Sequence, residues 1–303
     1  MLLSINSVTK SFGDKQVLKG ISFSTTSGKA LGLLGRNGAG KTTMIRIIMN
    51  VFGADSGNVT LDGEPIDFKK IRIGYLPEER GLYPKKKIME QLIYFAALQG
   101  VDKKSATHQA DKLFKKLNIE EYKNVRLDTL SKGNQQKVQL IATLICNPDI
   151  IILDEPFSGL DPVNASLLKE IVKDLIADNK LVLFSSHQMN YIEEFCDDII
   201  ILSGGQIAIS GSIHDIKRSY ARNIIEIKTE EPSKIADYLN SANAEFIKRV
   251  STNENLVTVT LQNDECKNNL FELLSKLGND VDSVAVKEPT LNEIFVSFTE
   301  GQI

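Results

Sequence analysis

Hydrophobic positions along the chain change period in a regular way. "LLSINSVTKSF" near the start and "GNVTLDG" further on alternate apolar with polar residues and sit between turn formers, the pattern of half-buried strands. "KALGLLG" is instead a continuous apolar run that leads straight into a glycine-rich stretch. "DIIILDEP" and "KLVLFSSH" are two more such runs, as expected for strands buried on both faces of a parallel sheet. "DIIILSGGQIAISG" reads as strand, glycine turn and strand. Helical spacing appears in "TTMIRIIMNVF", which puts Ile45, Ile48 and Met49 on one side, and in "ATHQADKLFKKLNI", which stripes Ala110, Leu113, Phe114 and Leu117. Together with "IMEQLIYFAALQG" this makes the region from about 84 to 147 a helical insert.

Composition shifts near "HDIKRSYARN". Beyond it the periods predict strand Ile224–Lys228, helix Ser233–Ala242, strands Phe246–Val250 and Leu256–Leu261, helix Glu265–Leu277 and strand Ser283–Lys287. A last helix carries Leu291, Ile294, Phe295 and Phe298 on one face. That βαββαβ order predicts a small α+β, ferredoxin-like sandwich. The expected division is therefore 1–219 and 220–303. The first part is an α/β domain with a mixed sheet and a helical subdomain.

Composition narrows the function. The 303 residues suffice for two cores, and a formal net charge of -3 argues against a general nucleic-acid binder. The run Lys85–Lys87 reads as a solvated loop. Cys146, Cys196 and Cys266 are scattered, with no CxxC pair, which suits reduced thiols better than a disulfide or zinc framework. No secretory leader is expected, and no apolar run approaches the ~20 residues of a membrane helix. Service to a membrane would go through a partner.

Two motifs carry chemistry. "GRNGAGKTT" (Gly35, Arg36, Asn37, Gly38, Ala39, Gly40, Lys41, Thr42, Thr43) fits the phosphate-loop spacing, with an apolar strand before it and a helix after. Its glycines let backbone N–H groups turn inward on phosphates at a helix N-terminus. Lys41 is expected on the β- and γ-phosphates of ATP, and the Thr42 hydroxyl on Mg²⁺. "IIILDEP" then sets Asp154 at the tip of a buried strand, where it can hold the magnesium shell. Glu155 follows it and is suited to polarise an attacking water.

Taken in order, these motifs and three others make the chain resemble the ATP-binding cassette (ABC) family over roughly Met1 to Gly211. "LSKGN" (Leu130–Asn134) is similar to the family's LSGGQ signature, "SGLDP" to its D-loop, and "SSH" places His187 as the switch histidine. The resemblance implies ATP hydrolysis catalysed by Glu155 and His187. Phe12 matches the aromatic residue that stacks on adenine, core packing being the alternative for a strand-end phenylalanine. The resemblance also implies a homodimer, or a pair with another ABC subunit, holding two ATP molecules at its interface. There Ser131, Lys132, Gly133, Asn134 and Asp161 would meet the ATP bound by the other subunit; Ser131 also suits a plain helix N-cap. Two departures stand out. Glu78 occupies the position of the family's magnesium-ligating glutamine, and Lys132 and Asn134 replace glycine and glutamine in the signature. Both Glu78 and the ending "EPTLNEIFVSFTEG" resemble the ATPases of ABC-2-type exporters. An integral membrane permease is then the expected partner, docking near Pro77–Leu92 through Leu82 and Tyr83, with the chain cytoplasmic and peripheral on the inner face of the membrane. The alternatives are a soluble ABC ATPase acting on ribosomes or DNA, and a non-transport regulatory module.

Overall fold

The computed structural model describes residues 1–303 except 80, 158–159, 187–188, 221, 243, 277–280 and 301–303, and gives only the backbone of 297–300. It divides into two compact units, Met1–Ile213 and His214–Ile303. The division falls at the start of a helix, α7 (Ile213–Ser219), a little before the expected 219–220.

The first unit opens with β1 (Leu2–Phe12), β2 (Lys15–Thr26), β3 (Ala30–Gly35) and α1 (Lys41–Ile48), then β4 (Ser56–Leu61), β5 (Glu64–Pro65) and β6 (Ile73–Leu76). The helical insert follows as α2 (Ile88–Leu98), α3 (Lys103–Lys116) and α4 (Lys132–Leu144). The unit closes with β7 (Ile150–Asp154), α5 (Pro162–Ala177), β8 (Leu181–Ser185), α6 (Met189–Phe195), β9 (Asp198–Ser203) and β10 (Gln206–Ser212). One antiparallel sheet runs β2-β1-β4-β5. The central sheet runs β10-β9-β3-β8-β7-β6 and is parallel except for β10, which returns antiparallel after the Gly204–Gly205 turn. β3, β7 and β8 are buried along their whole length, as their unbroken apolar runs require.

β2 and α5 are among the elements that escaped the periodic reading, as are α6 and α7. In β2 the buried residues are Leu18, Ile21 and Thr25, a spacing that mimics a helix. The cause is irregular pairing with β1, whose register shifts three times, and Gly20 at φ 84°. α5 begins inside the D-loop stretch. It starts on an Asp161 cap with Pro162 in the first turn and buries Ala165, Leu168, Ile171 and Val172. Asparagines at positive φ end four helices: Asn50 after α1, Asn118 after α3, Asn147 after α4 and Asn179 after α5.

The insert has its own apolar centre. Ile88, Leu92, Ala106, Ala110, Leu113, Phe114, Leu117 and Val138 are all buried, including the whole expected stripe of α3. Thr143 of α4 donates to the Tyr75 carbonyl of β6 at 3.2 Å, and Gly74 lets the two elements approach. A Cβ on Gly74 would lie 2.5 Å from the Thr143 carbonyl oxygen and 2.8 Å from Pro148.

In the second unit β11 (Ile224–Lys228), α8 (Pro232–Ser241), β12 (Ile247–Asn253), β13 (Leu256–Leu261), α9 (Lys267–Leu274) and β14 (Ser283–Val286) form the expected split-βαβ sandwich. Its antiparallel sheet is ordered β12-β13-β11-β14. Ile225, Ile227, Val257 and Val259 from the sheet pack with Ile235, Leu239 and Leu270 from the helices. A final helix, α10 (Leu291–Glu300), buries Leu291 and Ile294 of its expected stripe and half-buries Phe295. The Phe298 side chain lies outside the described residues.

The Gly74 contact sets a test of the packing between α4 and β6. Gly74→Ala should lower the denaturation midpoint of the full chain, by about 1–3 kcal/mol of overpacking. Gly53→Ala, which meets nothing within 4 Å, is the control and should change stability by under about 0.5 kcal/mol. Equal unfolding curves for the two variants would contradict the packing argument.

Candidate active site

The carboxyl ends of β3, β7 and β8 meet at one edge of the central sheet, the place where an open α/β sheet offers a crevice. β3 ends at Gly35, and the chain turns through Gly38 (φ 82°) and Gly40 (φ 108°) into α1. Those backbone angles admit a side chain only with strain, and a Cβ on Gly40 would also strike Leu18 at 2.6 Å. No side chain caps α1 and no acidic residue stands in its first turn, so its positive end is left to an anion.

A cleft of about 430 Å³ opens there. Arg36, Asn37, Gly38, Gly40, Lys41, Thr42 and Thr43 form its floor. Asp154, Glu155 and Glu78 stand along one wall, and Phe12, Lys15 and Val17 along another. The remaining loop residues, Gly35 and Ala39, are buried behind it. Lys41 is itself buried, and its ammonium donates to the Gly35 carbonyl at 2.7 Å. Burial pushes this ammonium below its ordinary value, while Glu155, Asp154 and Glu78 pull it back up.

Asp154 and Glu155 are held from β6 and β8. The Tyr75 hydroxyl donates to Asp154 Oδ2 at 3.1 Å and the Ser185 hydroxyl donates to Oδ1. Burial first, then the Asp154 charge, pushes the Tyr75 phenol well up, so it stays a donor. Glu155 sits at φ 50°, a left-handed conformation that costs a non-glycine residue roughly 1–2 kcal/mol. It is fixed there by its N–H to the Ser185 carbonyl at 2.9 Å and by the Ser186 hydroxyl on Oε2 at 3.1 Å. Tyr75, Ser185 and Ser186 were missed as site residues. The signal for the serines was the pairing of "IILDE" with "VLFSS", in which Asp154 faces Ser185, while Tyr75 comes from β6, opposite Ile152.

Oxygen donors fit a hard divalent cation: Thr42, Asp154 and Glu78 line the same cleft. Among the described residues no cluster of His, Cys, Asp and Glu makes a dedicated metal cage. That is the donor set Mg²⁺ uses when substrate phosphates and water complete its shell.

The signature residues lie elsewhere. Ser131 caps α4, accepting from the Asn134 N–H at 3.4 Å, and neither it nor Lys132, Gly133, Asn134 or Asp161 lines the cleft. Asp161 caps α5 through the Asn164 N–H at 2.9 Å, which holds its carboxyl below the usual range. Gly133 lets the two caps approach, since a Cβ there would lie 2.8 Å from the Asn164 amide. His187 lies outside the described residues, as do Ser158 and Gly159 of the D-loop stretch.

Phe12 is 51 % exposed, which removes the core-packing alternative for it. Tyr83 is 54 % exposed and stacks on Phe95 with ring centroids 6.0 Å apart, while Leu82 is half-buried. No helix among the described residues is long and apolar enough to cross a membrane.

Comparisons with known proteins agree with this geometry. Residues 18–158 match the ABC transporter family profile, and residues 211–299 match the ATP-binding protein DrrA1-3-like C-terminal domain. The uncharacterized ABC transporter ATP-binding protein YhaQ of Bacillus subtilis is 38% identical over 296 residues, 97% of each chain. Nod factor export ATP-binding protein I of Burkholderia lata is 31% identical, covering 79% of this chain and 80% of its own. A solved structure of the ATP-binding subunit of an ABC transporter superposes with a TM-score of 0.67 at 27% identity, over 72% of this chain and 93% of that one. Members of this family hydrolyse ATP to drive transport, and their cassettes work as dimers with membrane permeases. The chain belongs to the ABC transporter family, as one of its ATP-hydrolysing, ATP-binding subunits.

Proposed function

We propose that the chain powers an ABC-2-type exporter, as one of two ATPase subunits working on a separate permease at the inner face of the cell membrane. The observation that carries this is the single cleft in which the phosphate loop, Asp154, Glu155, Glu78 and Phe12 converge. The likeness to a Nod factor exporter and the DrrA-like second unit support export as the direction.

In this reading the phosphate loop and Lys41 bind the triphosphate, and Phe12 stacks on the adenine. Thr42, Asp154 and Glu78 hold Mg²⁺, which supplies charge neutralisation at the phosphates when bound. Glu155 takes the proton of the attacking water, and His187 keeps its expected role as the switch histidine. The second half of each site comes from the other subunit. Ser131, Lys132, Gly133, Asn134 and Asp161, set on the paired N-termini of α4 and α5, would cover that ATP. The N-terminus of α4, capped by a neutral hydroxyl, would favour that phosphate and is a reason for the pair to close when ATP is present. The permease is expected on the segment Pro77–Leu92, beside Glu78. Arg80 in that segment lies outside the described residues.

Glu155→Gln tests the assignment. It keeps the side chain's shape but removes the accepting charge, so turnover should fall at least about a hundredfold, some 2.7 kcal/mol of barrier. ATP affinity should stay near wild type, and ATP should now trap a dimer visible by gel filtration. Adding Ser131→Arg should abolish that dimer without weakening ATP binding. Normal turnover in Glu155→Gln would refute the catalytic role, and an unchanged dimer in the double variant would refute the composite site.

The lowered Lys41 value predicts a pH dependence. The triphosphate stabilises the ammonium, so the bound form keeps its proton to higher pH than the free form. Below the free-state value both are charged and affinity is flat. Above it, in a window that opens below the ordinary 10.5, binding must take up a proton and affinity falls as pH rises. Calorimetry in buffers of different ionisation heat reads that uptake; affinity rising with pH there would contradict the placement of Lys41.

For the docking surface, the double substitution Leu82→Ser, Tyr83→Ser should leave basal ATPase activity near normal and reduce permease pull-down by at least about tenfold, the loss expected of an aromatic anchor. An intact pull-down removes this segment from the interface. A large fall in melting temperature would assign the pair to the fold instead.

A further inference from the structure

Phe12 ends β1 with about half its surface in water. A solvated ring at a strand end samples several rotamers, and stacking it on a base then costs ordering entropy. Here the ring is held from behind. Phe52, from the turn after α1, meets Phe12 at right angles, with centroids 5.6 Å apart and planes at 89°. The Lys10 ammonium lies over both rings, 5.7 Å from the centre of Phe12 and 5.5 Å from that of Phe52.

The cation is itself fixed. Asp55 accepts from Lys10 at 2.7 Å and from the Ser11 N–H at 2.6 Å, while its own N–H donates to the Thr9 carbonyl at 2.9 Å. The hydroxyls of Thr9 and Ser56 share a hydrogen bond of 2.7 Å. The end of β1 is thus stitched to the 52–56 turn, and Phe52 rests on the buried core of the unit. None of Lys10, Phe52 and Asp55 lines the cleft.

We infer that Phe52 and the Lys10–Asp55 pair are positioning residues, which hold Phe12 as a preformed stacking face for the nucleotide's base. The inference rests on the reading of Phe12 as the base-stacking residue. It separates two kinds of ligand. A nucleotide uses the held ring, whereas inorganic tripolyphosphate offers the same phosphates and no base.

The test measures steady-state ATP hydrolysis and the binding of ATP and tripolyphosphate by the full chain, in wild type and in Phe12→Ala, Phe52→Leu, Lys10→Met and Lys10→Arg. Phe52→Leu and Lys10→Met should raise KM for ATP about three- to tenfold, the range of a lost aromatic or cation–π contact. The kcat should change by less than about twofold, because uniform binding is what is lost. Tripolyphosphate affinity should not move, and Lys10→Arg should restore the KM for ATP. If Phe12→Ala raises KM but Phe52→Leu and Lys10→Met do not, the positioning inference is overturned and the role of Phe12 stands. An unchanged KM in Phe12→Ala overturns the stacking role and the inference with it. Equal losses for ATP and tripolyphosphate in the Phe52 and Lys10 variants would show a general support of the fold, which also overturns the inference.

Discussion

A lysine ammonium taken out of water must find compensation, and in this molecule the compensation organises the site. Lys41 is almost fully buried, bonded to the carbonyl of Gly35, with Asp154, Glu155 and Glu78 acting on its charge. To reach that carbonyl the chain must leave β3 through backbone angles that favour glycine. To bring the carboxylates near, β7 and β6 must end at the same edge of the sheet as β3. The strand order β10-β9-β3-β8-β7-β6 does this, with Ser185 at the end of β8 and Ser186 just after it orienting the acids. Strain at Glu155 is tolerated because the same strand end fixes its backbone.

α4 ties the acidic wall to the signature loop. Its N-terminus carries the Ser131 cap. Further along, Gln136 donates to the Pro156 carbonyl at 2.8 Å and Gln139 to the Glu79 carbonyl at 3.1 Å, while Thr143 donates to Tyr75. One rigid helix therefore touches the segment after Asp154–Glu155 and the segment that carries Glu78. In the proposed pair, a force on the signature loop has a short, hydrogen-bonded route to both. Gln91 does the same for the neighbouring loop, accepting the Tyr83 N–H at 3.0 Å. The order of residues 83–87 thus depends on α2.

Much of this was legible in the sequence, and the exceptions have physical causes. Strands buried on both faces announce themselves by composition alone, so β3, β7 and β8 were plain. The phosphate loop was plain because its backbone angles leave few choices of residue. The split-βαβ order of the second unit followed from clean alternation such as that of β13. β2 was hidden because pairing irregularities convert a two-residue period into a mixed one. Tyr75, Ser185 and Ser186 were hidden because their role comes from strand register, a relation between segments far apart in the chain. Phe12 could not be assigned from its neighbours in sequence, since only its exposure separates a stacking face from a core residue.

The substitution of Glu78 for glutamine acquires a meaning from the charges around it. The cleft is lined by three cationic side chains, Lys41, Lys15 and Arg36, and by the N-terminus of α1, worth about half a positive charge. Against these stand three carboxylates, Asp154, Glu155 and Glu78. The fixed charges nearly cancel, and the acidic wall is the part of the cleft that repels a free triphosphate. In the proposed site a divalent cation would offset that wall, since each of its oxygen donors, Asp154, Glu78 and Thr42, is either an acid that would otherwise repel the phosphates or a hydroxyl at the helix start. A glutamine at position 78 would ligate the cation while leaving one less negative charge. With glutamate the proposed site would depend more steeply on the cation arriving with the nucleotide.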